Sequence, residues 1–121
     1  MNRFFLIFAG FFGATGIILG ALASHGLSHI LSSQNMTIFK LGVEYQMYHT
    51  VALLAIAAWL NYQRNRFIIL SGWLFILGII CFSGTMYGIT YLQLPNIGTA
   101  PVGGFAFILG WVLLIVAAFK R

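Results

Sequence analysis

The chain has 121 residues, of which 61% are hydrophobic and only 6% charged, against about a quarter charged in a soluble domain. That balance excludes a water-soluble globule, because most of such a surface must face lipid. The formal charge of +5 does not mark a nucleic-acid binder either: the cations sit between apolar runs, where they signal topology, and form no phosphate-binding stripe.

Four apolar segments follow one another, at about residues 4–23, 41–60, 67–92 and 102–119. Each is long enough to cross a bilayer as a helix, the form in which a spanning segment satisfies its own backbone hydrogen bonds. The expected fold is therefore all-α, a four-helix transmembrane bundle in one integral membrane domain over residues 1–121. No low-complexity segment, internal repeat or long linker interrupts it.

The first segment ends in ALASHGLSH, residues 21–29. Ala21-Leu22-Ala23 fits a signal-peptide cleavage rule, but the apolar run before it is longer than the usual 7–15-residue core of such a peptide. It reads as a retained span, with Gly26 ending the helix in a left-handed conformation. The run carries Gly13, Gly16 and Gly20 on one flank, and Gly16-x-x-x-Gly20 lets another backbone approach. A polar stretch, residues 24–40, leads to the second segment.

That second segment is the informative one. At 100° per residue, Tyr45, Tyr48, His49, Ala52, Ala55, Ile56 and Trp59 share about 140° of arc with Glu44 as origin, while Met47, Val51, Leu53 and Leu54 lie opposite. In a membrane the polar side is expected to turn inward. Glu44 is the only acidic residue. It reads as a structural hydrogen-bonding carboxyl, as a partner for Lys40, or as a group that relays protons or ligates a metal.

A tight basic turn, residues 61–66, precedes the third segment, which holds Cys81, Gly84-x-x-x-Gly88, Ser83, Thr85 and Tyr87. As the sole cysteine, Cys81 can form no intrachain disulfide, and it reads as a buried inert thiol. A Pro/Gly loop, residues 93–101, leads to the fourth segment. There Pro101 suits a first helical turn, Gly103-Gly104 allows close approach, and Ala106-x-x-x-Gly110 repeats the small-residue spacing. Four spans put Arg3, Arg64, Arg66, Lys120 and Arg121 on one side and only Lys40 on the other. By the positive-inside rule the N- and C-termini are cytoplasmic, in the plasma membrane.

His25 and His29 have the i, i+4 spacing of paired ligands, but Gly26 between them makes a shared helical face doubtful. His25 otherwise reads as a polar residue at a helix C-terminus, His29 as a solvent or headgroup residue, and His49 as an interhelical hydrogen-bonding group. His25, His49 and Glu44 are of types that suit zinc or iron, and two histidines from different helices could ligate haem. No metal motif of known spacing is present, and the expected cofactor is none.

GALASHGL (20–27), YQMYHTVALL (45–54), FSGTMY (82–87) and PVGGFAFILGW (101–111) together resemble the YwdK/YgdD family of small membrane proteins, a domain-of-unknown-function family. The resemblance spans nearly the whole chain. It implies a four-helix integral membrane protein with no established activity, and its motifs fall on His25, on Tyr45, Gln46 and His49, on Ser83 and Gly84, and on Pro101, Gly103 and Gly104. The family's usual Gly-Ala-x-Gly-Ala-His stands here as Gly20-Ala21-Leu22-Ala23-Ser24-His25, and His29 lies outside it.

By topology these motifs fall in the outer half of the bundle, which brings His25, Glu44, Tyr45, Gln46, His49, Ser83, Thr85 and Tyr87 into one candidate polar cluster. The candidate packing glycines are Gly13, Gly16, Gly20, Gly84, Gly88, Gly103, Gly104 and Gly110. The cluster reads first as structural glue in a non-enzymatic packing, assembly or accessory protein. The alternatives are a site for a proton, metal, haem, small molecule or lipid headgroup, or a membrane enzyme. No nucleophile–base pair, HExxH, phosphate loop or carboxylate dyad supports the last. Beyond the lipid bilayer, a homo-oligomer or a membrane-protein partner is permitted by the small-residue faces but not required.

Overall fold

The computed structural model describes residues 2–120, so Arg121 of the basic end lies outside the described residues. Four helices follow in chain order: α1 (Asn2–His25), α2 (Ser33–Trp59), α3 (Arg66–Thr90) and α4 (Thr99–Phe119), with a short 3₁₀ turn (Leu27–His29) between the first two. Among the described residues there is no strand. The fold is all-α.

Three of the helices, α1, α3 and α4, are long and apolar enough to cross a membrane. The fourth, α2, is 27 residues long but carries Glu44, Tyr45, Gln46, Tyr48, His49 and Thr50 in its middle. Its neighbours cover part of that polarity, since Gln46, His49 and Thr50 are all buried. The lipid-facing surface is the reverse: Phe4, Leu6, Ile7, Phe11, Ile17 and Ile18 of α1 are all exposed. An apolar surface this continuous is made for hydrocarbon.

The helices run up-down-up-down. Gly13 faces Thr50, Gly16 faces Met47 and Gly20 faces Val43, so α1 and α2 are antiparallel. Gly42 faces Met86 and Tyr87, Tyr45 stacks on Phe82 and His49 meets Phe75, which sets α3 antiparallel to α2. Ser71 donates to the Gly110 carbonyl at 2.7 Å and Asn65 to that of Ala117 at 3.3 Å, which does the same for α3 and α4. Phe5, Leu53 and Phe75 are fully buried at the centre of the main core. The tip of the Phe5 ring comes close enough to Gly72 that a Cβ there would lie 2.6 Å from it.

Two boundaries differ from the sequence expectation. Gly26 stays right-handed, at φ −93°; its N–H bonds to the Leu22 carbonyl at 2.8 Å and the chain passes straight into the 3₁₀ turn. And α2 starts at Ser33, well before residue 41. The Ser32 side chain caps it by accepting from the Asn35 N–H at 3.2 Å. Met36 and Phe39 of the added turns pack with Ala23 and Leu27 in a second, smaller core. At 1.5 Å per residue α2 rises about 40 Å, roughly 10 Å more than a hydrocarbon core is thick. Ser32→Ala is expected to weaken this extension by about 1 kcal/mol, read as faster amide hydrogen exchange confined to the first turns of α2.

One feature of α3 has no counterpart in the expectation. Between its α-helical parts lies a π turn, Ile79–Ser83, closed by the Gly84 N–H bonding to the Ile79 carbonyl. Such widened turns re-aim side chains and recur at functional sites. Here the turn holds the Phe82 ring 4.8 Å from that of Tyr45 and 5.9 Å from that of Phe107.

Candidate functional site

The buried polar residues gather on α2 and the helices that face it. Gln46 is 3% exposed. Its amide nitrogen donates to the Phe12 carbonyl at 2.8 Å and to Thr15 Oγ1 at 2.9 Å, both on α1. Its amide oxygen accepts from the Tyr87 hydroxyl of α3 at 2.6 Å. The Phe12 carbonyl can only accept, so the orientation of the amide is determined. One side chain thus ties three helices together.

One turn further along, His49 does the same toward α4. Its Nδ1 lies 2.7 Å from the Tyr45 carbonyl and its Nε2 3.0 Å from Trp111 Nε1. An indole N–H only donates, so Nε2 accepts and the proton sits on Nδ1, facing the carbonyl. The ring stacks on Phe107 at 3.6 Å and 12°, and meets Phe75 edge-on at 5.1 Å. Both nitrogens are engaged and the ring is buried.

The remaining members of the expected cluster divide. Ser83 donates to the Gly42 carbonyl at 2.6 Å, within the same α2–α3 contact as Tyr87. Tyr45 takes part through its carbonyl and through its stack on Phe82. Thr85 pairs instead with the Cys81 carbonyl and with Thr99, at the junction of α3 and α4. His25 and His29 are exposed around the first loop. Glu44 is exposed as well, its carboxylate 3.5 Å from the Tyr48 hydroxyl one turn away. Among the described residues no three His, Cys, Asp or Glu side chains come together in a metal-binding group, and His25, Glu44 and His49 do not converge.

The buried arc of α2 lies about one residue's turn, roughly 100°, around from the arc expected. It contains Gln46, His49, Thr50 and Leu53, while Tyr48, Ala55 and Trp59 face outward. An amide satisfies two donors and an acceptor inside a bundle without desolvating a charge, whereas buried Glu44 would need a partner cation. The packing therefore turns Gln46 inward and Glu44 out.

The glycines divide too. Gly13, Gly16 and Gly20 face α2, Gly88 meets Leu94, Gly103 meets the Phe82 backbone and Gly110 meets the Phe75 ring. Gly84 and Gly104 have no neighbour within 4 Å, so neither packs against a helix of this chain. Gly42, Gly72 and Gly78, which spacing did not single out, each sit against a side chain of another helix.

Thr15 and Trp111 were also not singled out. A signal existed for both. Thr15 is the only hydroxyl-bearing residue between positions 4 and 23, and an indole N–H in an apolar helix needs an acceptor. Among the described residues every buried side-chain nitrogen and oxygen has a hydrogen-bond partner.

Comparison with known proteins agrees with this architecture. The family described as "Protein of unknown function (DUF423)" matches residues 19–104. A UPF0382 membrane protein of Haemophilus influenzae is 38% identical over 99% of this chain and 97% of its own length. The UPF0382 inner membrane protein YgdD of Escherichia coli K12 is 36% identical over 98% of this chain and 92% of its own. The UPF0382 membrane protein YwdK of Bacillus subtilis is 32% identical over 98% of both. No solved structure matches. With its apolar helices, the chain is a multi-pass protein of the plasma membrane.

Proposed function

The chain belongs to the DUF423 family of membrane proteins, and on that premise we propose that it is a non-catalytic packing or accessory protein whose inward polar residues interlock its helices. Gln46 carries this reading. Its two amide hydrogens and its oxygen are all engaged by residues of the chain itself, which leaves it no donor to offer a substrate. His49 supports it in the same way.

We also place both termini in the cytoplasm. Arg3, Arg64, Arg66 and Lys120 lie at one end of the antiparallel helices and Lys40 toward the other, the asymmetry that sets orientation.

Purified protein tests the interlock against a ligand site. His49→Gln loses the aromatic stack and imidazole geometry and should lower stability in detergent by about 1–2 kcal/mol. Glu44→Gln, on the outward face, should leave stability unchanged. Stoichiometric metal, or a Soret band, present in the wild type and lost in both His25→Ala and His49→Ala would overturn the reading in favour of a cofactor site.

A further inference from the structure

Below the His49–Trp111 bond, α2 and α4 separate. Both pack on α3, but between them a groove of about 600 Å³ opens sideways, within the size range of small-molecule sites. Its walls are mainly apolar, with Ala52, Ala55 and Trp59 on α2, Leu114 and Ala117 on α4, and Ile68 of α3 as the floor. It reaches from Tyr48 down to Trp59 and the 61–66 turn. Eleven residues of helix rise about 17 Å, close to one leaflet of a hydrocarbon core about 30 Å thick.

At its lower mouth the groove meets a second cleft of about 550 Å³, with which it shares Gln63 and Asn65. Arg64, Arg66 and Lys120 line this cleft. No acidic side chain of the described residues lies near it, because the only one, Glu44, is on α2 beyond Tyr48. Orientation by positive charge requires cations at this end. It does not require that cations from two separate stretches of chain converge on one cleft, at the foot of an apolar groove one leaflet deep.

We propose that this combined site holds an anionic phospholipid of the adjoining leaflet, one acyl chain in the α2–α4 groove and the phosphate on Arg64, Arg66 and Lys120. The parts match such a lipid in order and in length. Arginine guanidinium groups bind phosphate through paired hydrogen bonds, and basic pockets between membrane helices on the cytoplasmic side hold anionic headgroups. An acyl chain matches the mainly apolar lining of the groove. The site is separate from the Gln46 and His49 interlock and stands or falls apart from it.

Full-length protein in a neutral detergent is the sample, and thermal stabilisation with native mass spectrometry the readout. Phosphatidylglycerol, phosphatidylcholine and inorganic phosphate are added in parallel. Phosphatidylglycerol should bind at least tenfold more tightly than phosphatidylcholine and leave a stoichiometric adduct, with no stabilisation by phosphate at the same concentration. The triple variant Arg64→Gln, Arg66→Gln, Lys120→Gln should lose that tenfold preference. Ala55→Phe, which fills the groove at unchanged charge, should lose the adduct, while Ile17→Phe on the lipid face of α1 should keep it. Equal binding of the two lipids, stabilisation by phosphate alone, a tenfold preference retained in the charge variant, or an adduct retained in the groove variant would each overturn the proposal.

Discussion

Gln46→Leu is expected to destabilise the bundle by about 2–4 kcal/mol, and adding Tyr87→Phe is expected to restore part of that loss. The asymmetry follows from what each change leaves behind. Leucine removes the acceptor of the half-buried Tyr87 hydroxyl, which Gln46 holds at 2.6 Å, and stranding it costs about 1–2 kcal/mol, the lower part of the range for a fully buried group. It also removes two bonds to α1, at 2.8 and 2.9 Å, and interhelical bonds in membrane proteins average about 0.6 kcal/mol.

The groups on α1 suffer less. The Phe12 carbonyl sits within a continuous helix, and the Thr15 hydroxyl still donates to the Phe11 carbonyl at 2.9 Å. Most of the recoverable loss is therefore at Tyr87. A double-mutant cycle in detergent, with unfolding followed by titration of a denaturing surfactant, should give a coupling of about 1 kcal/mol or more between positions 46 and 87. Strict additivity would mean that the two side chains do not share a bond, and the interlock would lose its central member.

The same residue explains what could and could not be read from the chain alone. Helix number and approximate span limits need only hydropathy, because lipid demands an apolar helix whatever that helix packs against. The inward face of α2 needs knowledge of partners. Glu44 draws attention as the only acid, and placing it on the inward arc is reasonable if a charge in a membrane must point inward. The buried face is instead set by Gln46, whose partners Thr15 and Tyr87 lie 31 and 41 residues away in sequence. His49 stands out by its position on the chain, but Trp111, the group that holds it, is 62 residues distant. The start of α2 at Ser33 could have been read from Ser32, a good N-cap residue. The π turn could not, since nothing local in Ile79–Ser83 distinguishes it from ordinary helix, and its place is set by Phe82 wedged between Tyr45 and Phe107.

Adjacent glycines make the sharpest test of that packing. In sequence Gly103 and Gly104 are equivalent, yet a Cβ on Gly103 would lie 2.5 Å from the Phe82 backbone nitrogen and 2.9 Å from the Gly78 carbonyl oxygen, while one on Gly104 would meet nothing within 4 Å. Backbone atoms cannot swing aside as a side chain can. Gly103→Ala must therefore push α4 off α3 at the π turn, where Phe82 also meets Tyr45. The expected loss is about 3 kcal/mol, the upper part of the range for overpacked cores.

Gly104→Ala takes no such penalty and gains helix propensity, up to about 1 kcal/mol in alanine's favour. Gly84→Ala, equally open, should behave like Gly104→Ala. The three variants differ from wild type by one methyl group each, so composition and span hydropathy barely change among them. A difference of about 3–4 kcal/mol between neighbouring positions can then come only from where the helix faces. If unfolding measured in the same detergent ranks Gly104→Ala as damaging as Gly103→Ala, the close α3–α4 contact at Phe82 is not present in the folded protein.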